Sequence, residues 1–460
     1  MGFDGNDDHI SELPEALLSD ILYRLGTAEA ARAVVLSTRF RDAWLATPLR
    51  LDDLELPALA RGTGFSKEPW AVRADAVTRV LASHPGPVAL FRLSRTTFRS
   101  RVSAAEAWFR DLAAKRAREV YLCCPPEWCH DALADPLLAC PTLETLALGK
   151  CSLSDAGASA SRLTELTLSE TNLSEAALQS VLSGCPALRS VMLKHVHGLH
   201  RIRVRSCRSL VLLGVWHYKK LEEITVEDAP CLERVLGSVR LTAAITVVGA
   251  PKLTALGYVV VGIPYLFDGE TAPQMSFNHA LQEVGKGLRA PLHSVKILAI
   301  TVKFSNENDM EKVISLLELF PCLETLHVKS SDNDQECGAV EDDTIGSIYY
   351  PKCDPIRCFV SHLKSVRLEC KCNHPNHSML EFASFLLARA HVLQFMRIRS
   401  KMSGLSEWVT KQQNLLSQSH RLSLEAEVVF EGIKRRDGFT IEGVNALSDP
   451  FDGDIDISGY

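Results

Sequence analysis

Leu143-Glu-Thr-Leu-Ala-Leu148 and Leu163-Thr-Glu-Leu-Thr-Leu168 are two copies of one phrase, Leu-x-x-Leu-x-Leu. The phrase returns at Leu188, Val191, Leu193, at Leu323, Leu326, Val328 and at Leu363, Val366, Leu368. Weaker copies stand upstream at Val88, Phe91, Leu93 and at Ala117, Val120, Leu122. Alternation within each copy turns every second side chain to one face, as a half-buried strand requires.

Repeats of 20 to 30 residues with this signature specify a leucine-rich-repeat solenoid with a parallel sheet. Helices fill the return path where there is room: Arg73 to Ser83, Ala104 to Arg116, a helix capped by Ser174, and Met310 to Phe320 capped by Asp309. From Leu188 the rhythm tightens, with starts at Leu188, Leu199, Leu210, Leu221 and Leu232, each 11 residues after the last. Eleven residues cannot hold a strand, two turns and a three-turn helix. The expected solid is a 22-residue coil with a strand on both sides, which sets Leu199 under Leu221. Through Thr242 to Val248 the pattern is apolar on both faces and the register is lost.

That coil bears on a basic cluster between Arg189 and Lys220, which holds eight Lys/Arg, four histidines and no acid. Arg201, Arg203 and Arg205 alternate with Ile202 and Val204, so all three point outward. One reading is a platform for an acidic or phosphorylated target. Adding 22 gives another: Arg201 falls beside Glu223, Arg203 beside Thr225 and Arg205 beside Glu227, as cross-rung pairs.

Upstream of the repeats, Leu17, Leu18, Ile21, Leu22 and Leu25 form a broad apolar stripe at helical period behind Pro14. Thr27 is placed to cap a second helix carrying Ala30, Ala31, Val34 and Val35, and Arg39 to Ala46 reads as a third. Some forty residues cannot enclose so many large side chains, so part of the stripe is expected to cover a partner.

This segment resembles an F-box, on Ile10, Leu13-Pro14, Leu17, Ile21-Leu22, Leu25, Glu29, Ala30, Leu36-Ser37, Arg39, Arg41 and Trp44. It departs at Gly26, where proline is common, at Thr38, where a basic residue is usual, and at Phe40, where tryptophan is frequent. The C-terminal third resembles the FBD region that ends many plant F-box/leucine-rich-repeat proteins. The matching residues are Cys358-Phe-Val-Ser-His-Leu-Lys-Ser-Val366, Glu381 to Leu393, Lys411-Gln-Gln413 and Asp449-Pro-Phe-Asp452. There, Ser378 with Glu381 reads as a capping box for a helix over Met379 to Ala388.

The expected fold class is α/β: a three-helix F-box over 8–50, a solenoid with mixed helix and strand returns over 51–350, an α+β FBD unit over 351–432 and a flexible tail over 433–460. The resemblance implies a non-catalytic substrate receptor of a cullin-based ubiquitin ligase. Its F-box would dock a Skp-type adaptor through Leu13, Pro14, Leu17, Ile21, Leu22, Leu25, Leu36 and Trp44. The repeats and FBD would then capture a protein target. A scaffold without ligase link and a receptor completed by a small ligand are the alternatives.

Other classes find less support. The net charge of -6 gives no reason to expect nucleic acid or an anionic membrane. Leu241 to Phe267 is nearly uncharged, but its glycines and prolines suit buried strands better than a spanning helix. The N-terminal residues carry no secretory pattern, and the 14 cysteines are expected reduced, in the cytoplasm or nucleus. No phosphate loop, His-Glu-x-x-His or Gly-x-Ser-x-Gly occurs. Cys370, Cys372, His374 and His377 offer zinc-type atoms at poor spacing, so no metal or cofactor is expected. The acids between Ser330 and Tyr350 read as a solvated loop.

Overall fold

The computed structural model describes residues 13–55, 69–94, 96, 102–122, 132–216, 221–237, 244–261, 265–267, 292–304, 307–332, 355–372, 377–401, 407–418, 421–433 and 448–451. The chain divides into two compact units, Met1–Leu199 and His200–Tyr460.

In the first unit, helices α1 (Glu15–Arg24), α2 (Thr27–Leu36) and α3 (Thr38–Ala46) precede a ladder of parallel strands. These are β1 (Leu49–Asp52), β2 (Val88–Leu93), β3 (Glu119–Leu122), β4 (Thr145–Gly149), β5 (Glu165–Ser169) and β6 (Ser190–Lys194). The repeated phrase sets the register: Leu146 and Leu148 lie beside Leu166 and Leu168, which lie beside Val191 and Leu193. All six are buried. One carbonyl before each strand holds two N–H groups of the next coil. Arg118 accepts from Glu144 and Thr145, Glu144 from Thr164 and Glu165, and Thr164 from Arg189 and Ser190. Lys150, Glu170 and His195, each just past its strand, turn the chain with φ near 50° (51°, 49° and 50°), although none is glycine. The return helices span α4 (Pro69–Ser83), α5 (Val102–Ala114), the short α6 (Asp135–Leu138) and α7 (Glu175–Gly184). Ser174 caps α7 as expected, its Oγ accepting from the Ala177 N–H at 2.9 Å.

The second unit begins with the tight coils. Strands β7 (Arg201–Arg205), β9 (Glu223–Glu227), β11 (Ala244–Val248) and β13 (Tyr265–Phe267) form one parallel sheet. The other wall is made by β8 (Leu212–Trp216), β10 (Arg234–Gly237) and β12 (Ala255–Val260). The 22-residue rung is found as expected, with Arg201 beside Glu223 and Arg205 beside Glu227. Where the sequence lost the register, Ala244 takes its place beside Glu223 and Ile245 beside Ile224.

From β12 the ladder continues through β14 (Ile297–Val302), β15 (Thr325–Ser330), β16 (Ser365–Glu369), β17 (Phe395–Ser400) and β18 (Glu427–Gly432), all parallel. The strands of the FBD region therefore add further rungs to the repeat ladder. They keep its linkage too: the Glu324 carbonyl accepts from Lys364 and Ser365, and the Lys364 carbonyl from Gln394 and Phe395. Helices α8 (Glu307–Leu317), α9 (Arg357–Ser361), α10 (His377–Arg389) and α11 (Glu407–Gln418) lie between them in sequence.

Several local expectations shift. Asp309 lies inside α8, where its carboxylate is 3.3 Å from Lys312 Nζ, because that helix starts at Glu307. Ser378 lies inside α10, and Glu381 turns to His377 Nδ1 at 3.1 Å instead of closing a capping box. Thr27 does not cap α2 but is its first residue, with its hydroxyl donating to the Arg50 carbonyl. Asp332, expected in solvent, is buried; its carboxylate accepts from the Phe304 N–H at 2.9 Å and the Ser330 hydroxyl at 2.8 Å. The rest of that acidic segment, 333–350, lies outside the described residues, as does His374. Cys370 is a buried free thiol, whereas Cys372 is disulfide-bonded and not the reduced thiol expected. Within the segment expected as a tail, residues 448–451 are packed, with Phe451 buried. Among the described residues no helix is long and apolar enough to cross a membrane.

Candidate adaptor-docking site

The three N-terminal helices enclose a small core of Leu18, Leu22, Ala30 and Ala43, against which Leu13, Leu25, Ala33, Phe40 and Trp44 pack partly buried. Apolar spacing on α1 supplies two rows. Leu18 and Leu22, four residues apart, face inward; Pro14, Leu17 and Ile21 follow the neighbouring i, i+3, i+7 row and face solvent. Leu17 stays 50% exposed and Ile21 39%. Val35 on α2, outside the expected set, is 85% exposed.

The eight residues expected at the adaptor surface therefore separate. Pro14, Leu17 and Ile21 are exposed, Leu22 is core, and Leu13, Leu25 and Trp44 line that core. The Leu36 side chain lies outside the described residues. The polar frame holding the exposed row comes from elsewhere in the sequence. Ser37 Oγ accepts from the Arg39 N–H at 3.2 Å at the start of α3, and Arg39 Nη2 donates to the Leu13 carbonyl at 2.7 Å. That second bond ties the third helix to the chain entering α1.

Gly26, the most conspicuous departure from the F-box pattern, has a structural partner. The Glu55 carboxylate accepts from the Thr27 N–H at 2.8 Å, satisfying a free donor where the helix dipole favours negative charge. A Cβ on Gly26 would lie 2.8 Å from Glu55 Oε2. The backbone there, φ -63° and ψ 154°, would accept proline, but that carboxylate occupies the space. A borrowed cap and a missing side chain go together.

Trp44 joins this module to the first repeat. Its ring meets the edge of the buried His84 imidazole, with centroids 4.7 Å apart, and its carbonyl lies 3.1 Å from His84 Nε2. Burial pushes the His84 pKa below the ordinary imidazole value, and the nearby Lys115 ammonium adds to this against the backbone contacts to Trp44 and Gly86. His84 is then neutral near pH 7, with Nε2–H donating to Trp44.

The arginine strand of the second unit also faces outward, with Ile202 and Val204 fully buried between Arg201, Arg203 and Arg205. Arg205 Nε is 2.9 Å from Glu227 Oε2, the expected cross-rung pair. Arg201 reaches Glu222 at 3.8 Å, and Glu223 accepts from the Thr225 hydroxyl at 2.8 Å. Among the described residues no group of three or more His, Cys, Asp or Glu side chains is arranged to hold a metal ion.

Residues 105–328 match a family model described as FBD-associated F-box protein At5g56370, LRR repeats, and residues 351–398 match the FBD model. The F-box/FBD/LRR-repeat protein At1g13780 of Arabidopsis thaliana is 27% identical over 429 residues, covering 84% of this chain and 90% of that protein. Along most of its length the chain is similar to the plant F-box/FBD/LRR-repeat proteins. A second such Arabidopsis protein, At1g13570, is 24% identical over 440 residues, covering 92% of this chain and 98% of its own. A third, At5g22660, reaches 44% identity over 59 residues, 13% of each chain. The matched spans place the repeats, residues 105–328, before the FBD, residues 351–398. In this chain the N-terminal three-helix module carries the solvent-facing row just described.

Proposed function

We propose that this chain is the substrate-recognition subunit of an SCF-type cullin ubiquitin ligase, acting in the cytoplasm or nucleus. The observation that carries the proposal is the division of α1 into a buried row, Leu18 and Leu22, and an apolar row left in water, Pro14, Leu17 and Ile21. A helix that has already built its core and still exposes such a row is suited to a second apolar partner. A Skp-type adaptor is the partner that an F-box implies.

The chain itself performs no chemistry in this scheme. It holds a target's lysine near the ubiquitin thioester carried by the cullin, replacing a bimolecular encounter with an effectively unimolecular one. Arg201, Arg203 and Arg205 are one target-facing surface of the proposal. Loss of target capture in Arg203→Ala with unchanged thermal unfolding would support that role. The test of the whole is co-expression of the intact chain with a Skp-type adaptor and a cullin. Capture of all three through a tag on this chain is expected. Recovery of folded chain alone would overturn the ligase reading and leave a repeat scaffold.

A further inference from the structure

One face of the second unit's ladder carries a row whose charge is completed from the far end of the chain. Ala299, His327, Arg367 and Arg397 stand in register on β14, β15, β16 and β17. Adjacent strands lie ~4.8 Å apart, so these side chains are neighbours on one face. The next row on that face neutralises itself, Lys329 meeting Glu369 at 2.8 Å and Arg399 meeting Glu431 at 3.2 Å. The first row holds an imidazole and two guanidinium groups and no carboxylate of its own; Arg397 at its end reaches Glu431 of the next row at 3.8 Å.

At His327 the carboxylate comes from Asp449, whose Oδ2 is 2.8 Å from His327 Nε2. Arg367 Nη1 donates to the Phe451 carbonyl at 2.7 Å. The Phe451 ring meets Tyr258 at 5.3 Å and His327 at 5.6 Å. Inside the segment, Asp449 Oδ1 accepts from the Phe451 N–H at 2.9 Å, a local turn that needs nothing from the rest of the protein. His327 and Phe451 are both buried. Three anchors (carboxylate, carbonyl, aromatic ring) thus come from two residues, Asp449 and Phe451, on a turn that would form equally on another chain.

We propose that this row is a peptide-reading groove whose external partner is an Asp-Pro-Phe-type segment of another protein, and that Asp449–Phe451 is the chain's own competitor for it. The proposal concerns the second unit and does not depend on adaptor docking. A segment tethered in cis has a high effective concentration, so an external peptide meets a groove already filled. Target capture at this surface is then coupled to release of the C-terminal segment.

The test uses a fluorescein-labelled nonapeptide with the sequence of residues 446–454, Ala-Leu-Ser-Asp-Pro-Phe-Asp-Gly-Asp. It is titrated by anisotropy against the intact chain and a full-length Asp449→Asn, Phe451→Ala variant. The variant should bind about 100-fold more tightly than the intact chain, and adding Arg367→Met should abolish that binding. A folded variant that binds no better, or binds equally without Arg367, would overturn the proposal. A second measurement needs no variant. The same peptide with photoreactive benzoylphenylalanine in place of its phenylalanine is cross-linked at millimolar concentration to the intact chain. Adducts within Ala255–Val260 or Thr325–Ser330 are expected; adducts only elsewhere, or none, would refute the groove.

Discussion

Replacing Leu17 and Ile21 together by alanine should weaken adaptor binding while leaving the F-box folded. Full burial of a Leu or Ile side chain is worth about 1.5–3 kcal/mol. Leu17 retains 50% of its exposure and Ile21 39%, so roughly half of that value is still available to a partner at each position. Together they supply about 1.5–2.5 kcal/mol, or roughly a 10- to 70-fold change in Kd. The part of each side chain already buried is lost to the fold as well, about 0.75–1.5 kcal/mol per residue, below the cost at a fully buried position. Leu18→Ala is the counterpart. That side chain is fully buried, and its removal should cost about 2–5 kcal/mol of stability through lost burial and a cavity. Calorimetric titration against a purified Skp-type adaptor gives the affinity, and scanning calorimetry gives the stability. An unchanged Kd in the Leu17→Ala, Ile21→Ala double variant, or a stability loss in Leu17→Ala alone equal to that of Leu18→Ala, would refute the division of α1.

Glu55→Ala should cost about 1 kcal/mol, because it strips the Thr27 N–H of its partner at the start of α2; chemical denaturation reads the change. In the tight coils, Arg205→Ala should change stability by no more than about 1 kcal/mol, its pair with Glu227 being largely exposed. Ile224→Ala, between the two walls, should cost about 2–5 kcal/mol in the same assay. His84 sets an acid limit. Its folded pKa is lowered by burial, so below about pH 6.5 the unfolded chain takes up the proton and the folded chain resists it. Stability should therefore fall as the pH drops through that range, and His84→Gln should flatten that part of the thermal-unfolding profile.

The ladder was legible because its signal is local. Leu146, Leu166 and Val191 occupy the same place in the same phrase, and stacking like on like is the simplest burial for all three. The 22-residue rung followed from spacing too short for a helix. It failed at Thr242 to Val248, where both faces are apolar and alternation carries no direction. The F-box resisted division for a related reason. Leu17 and Leu18 are the same residue type one step apart, and only the positions of α2 and α3 decide which is buried. Caps drawn from local rules succeeded where the helix began one residue past the marked one, as at Ser174, and shifted at Thr27, Asp309 and Ser378, where it began at that residue or earlier. Glu55 and Asp449 were beyond reach. The first caps a helix 28 residues upstream, and the second meets a histidine 122 residues away, separations over which no periodicity operates.

The most direct measurement titrates the purified intact chain with a purified Skp-type adaptor, following mass by light scattering as the complex forms. A saturable one-to-one complex is predicted. Separate elution of a folded chain and adaptor at high micromolar concentrations would contradict the central claim.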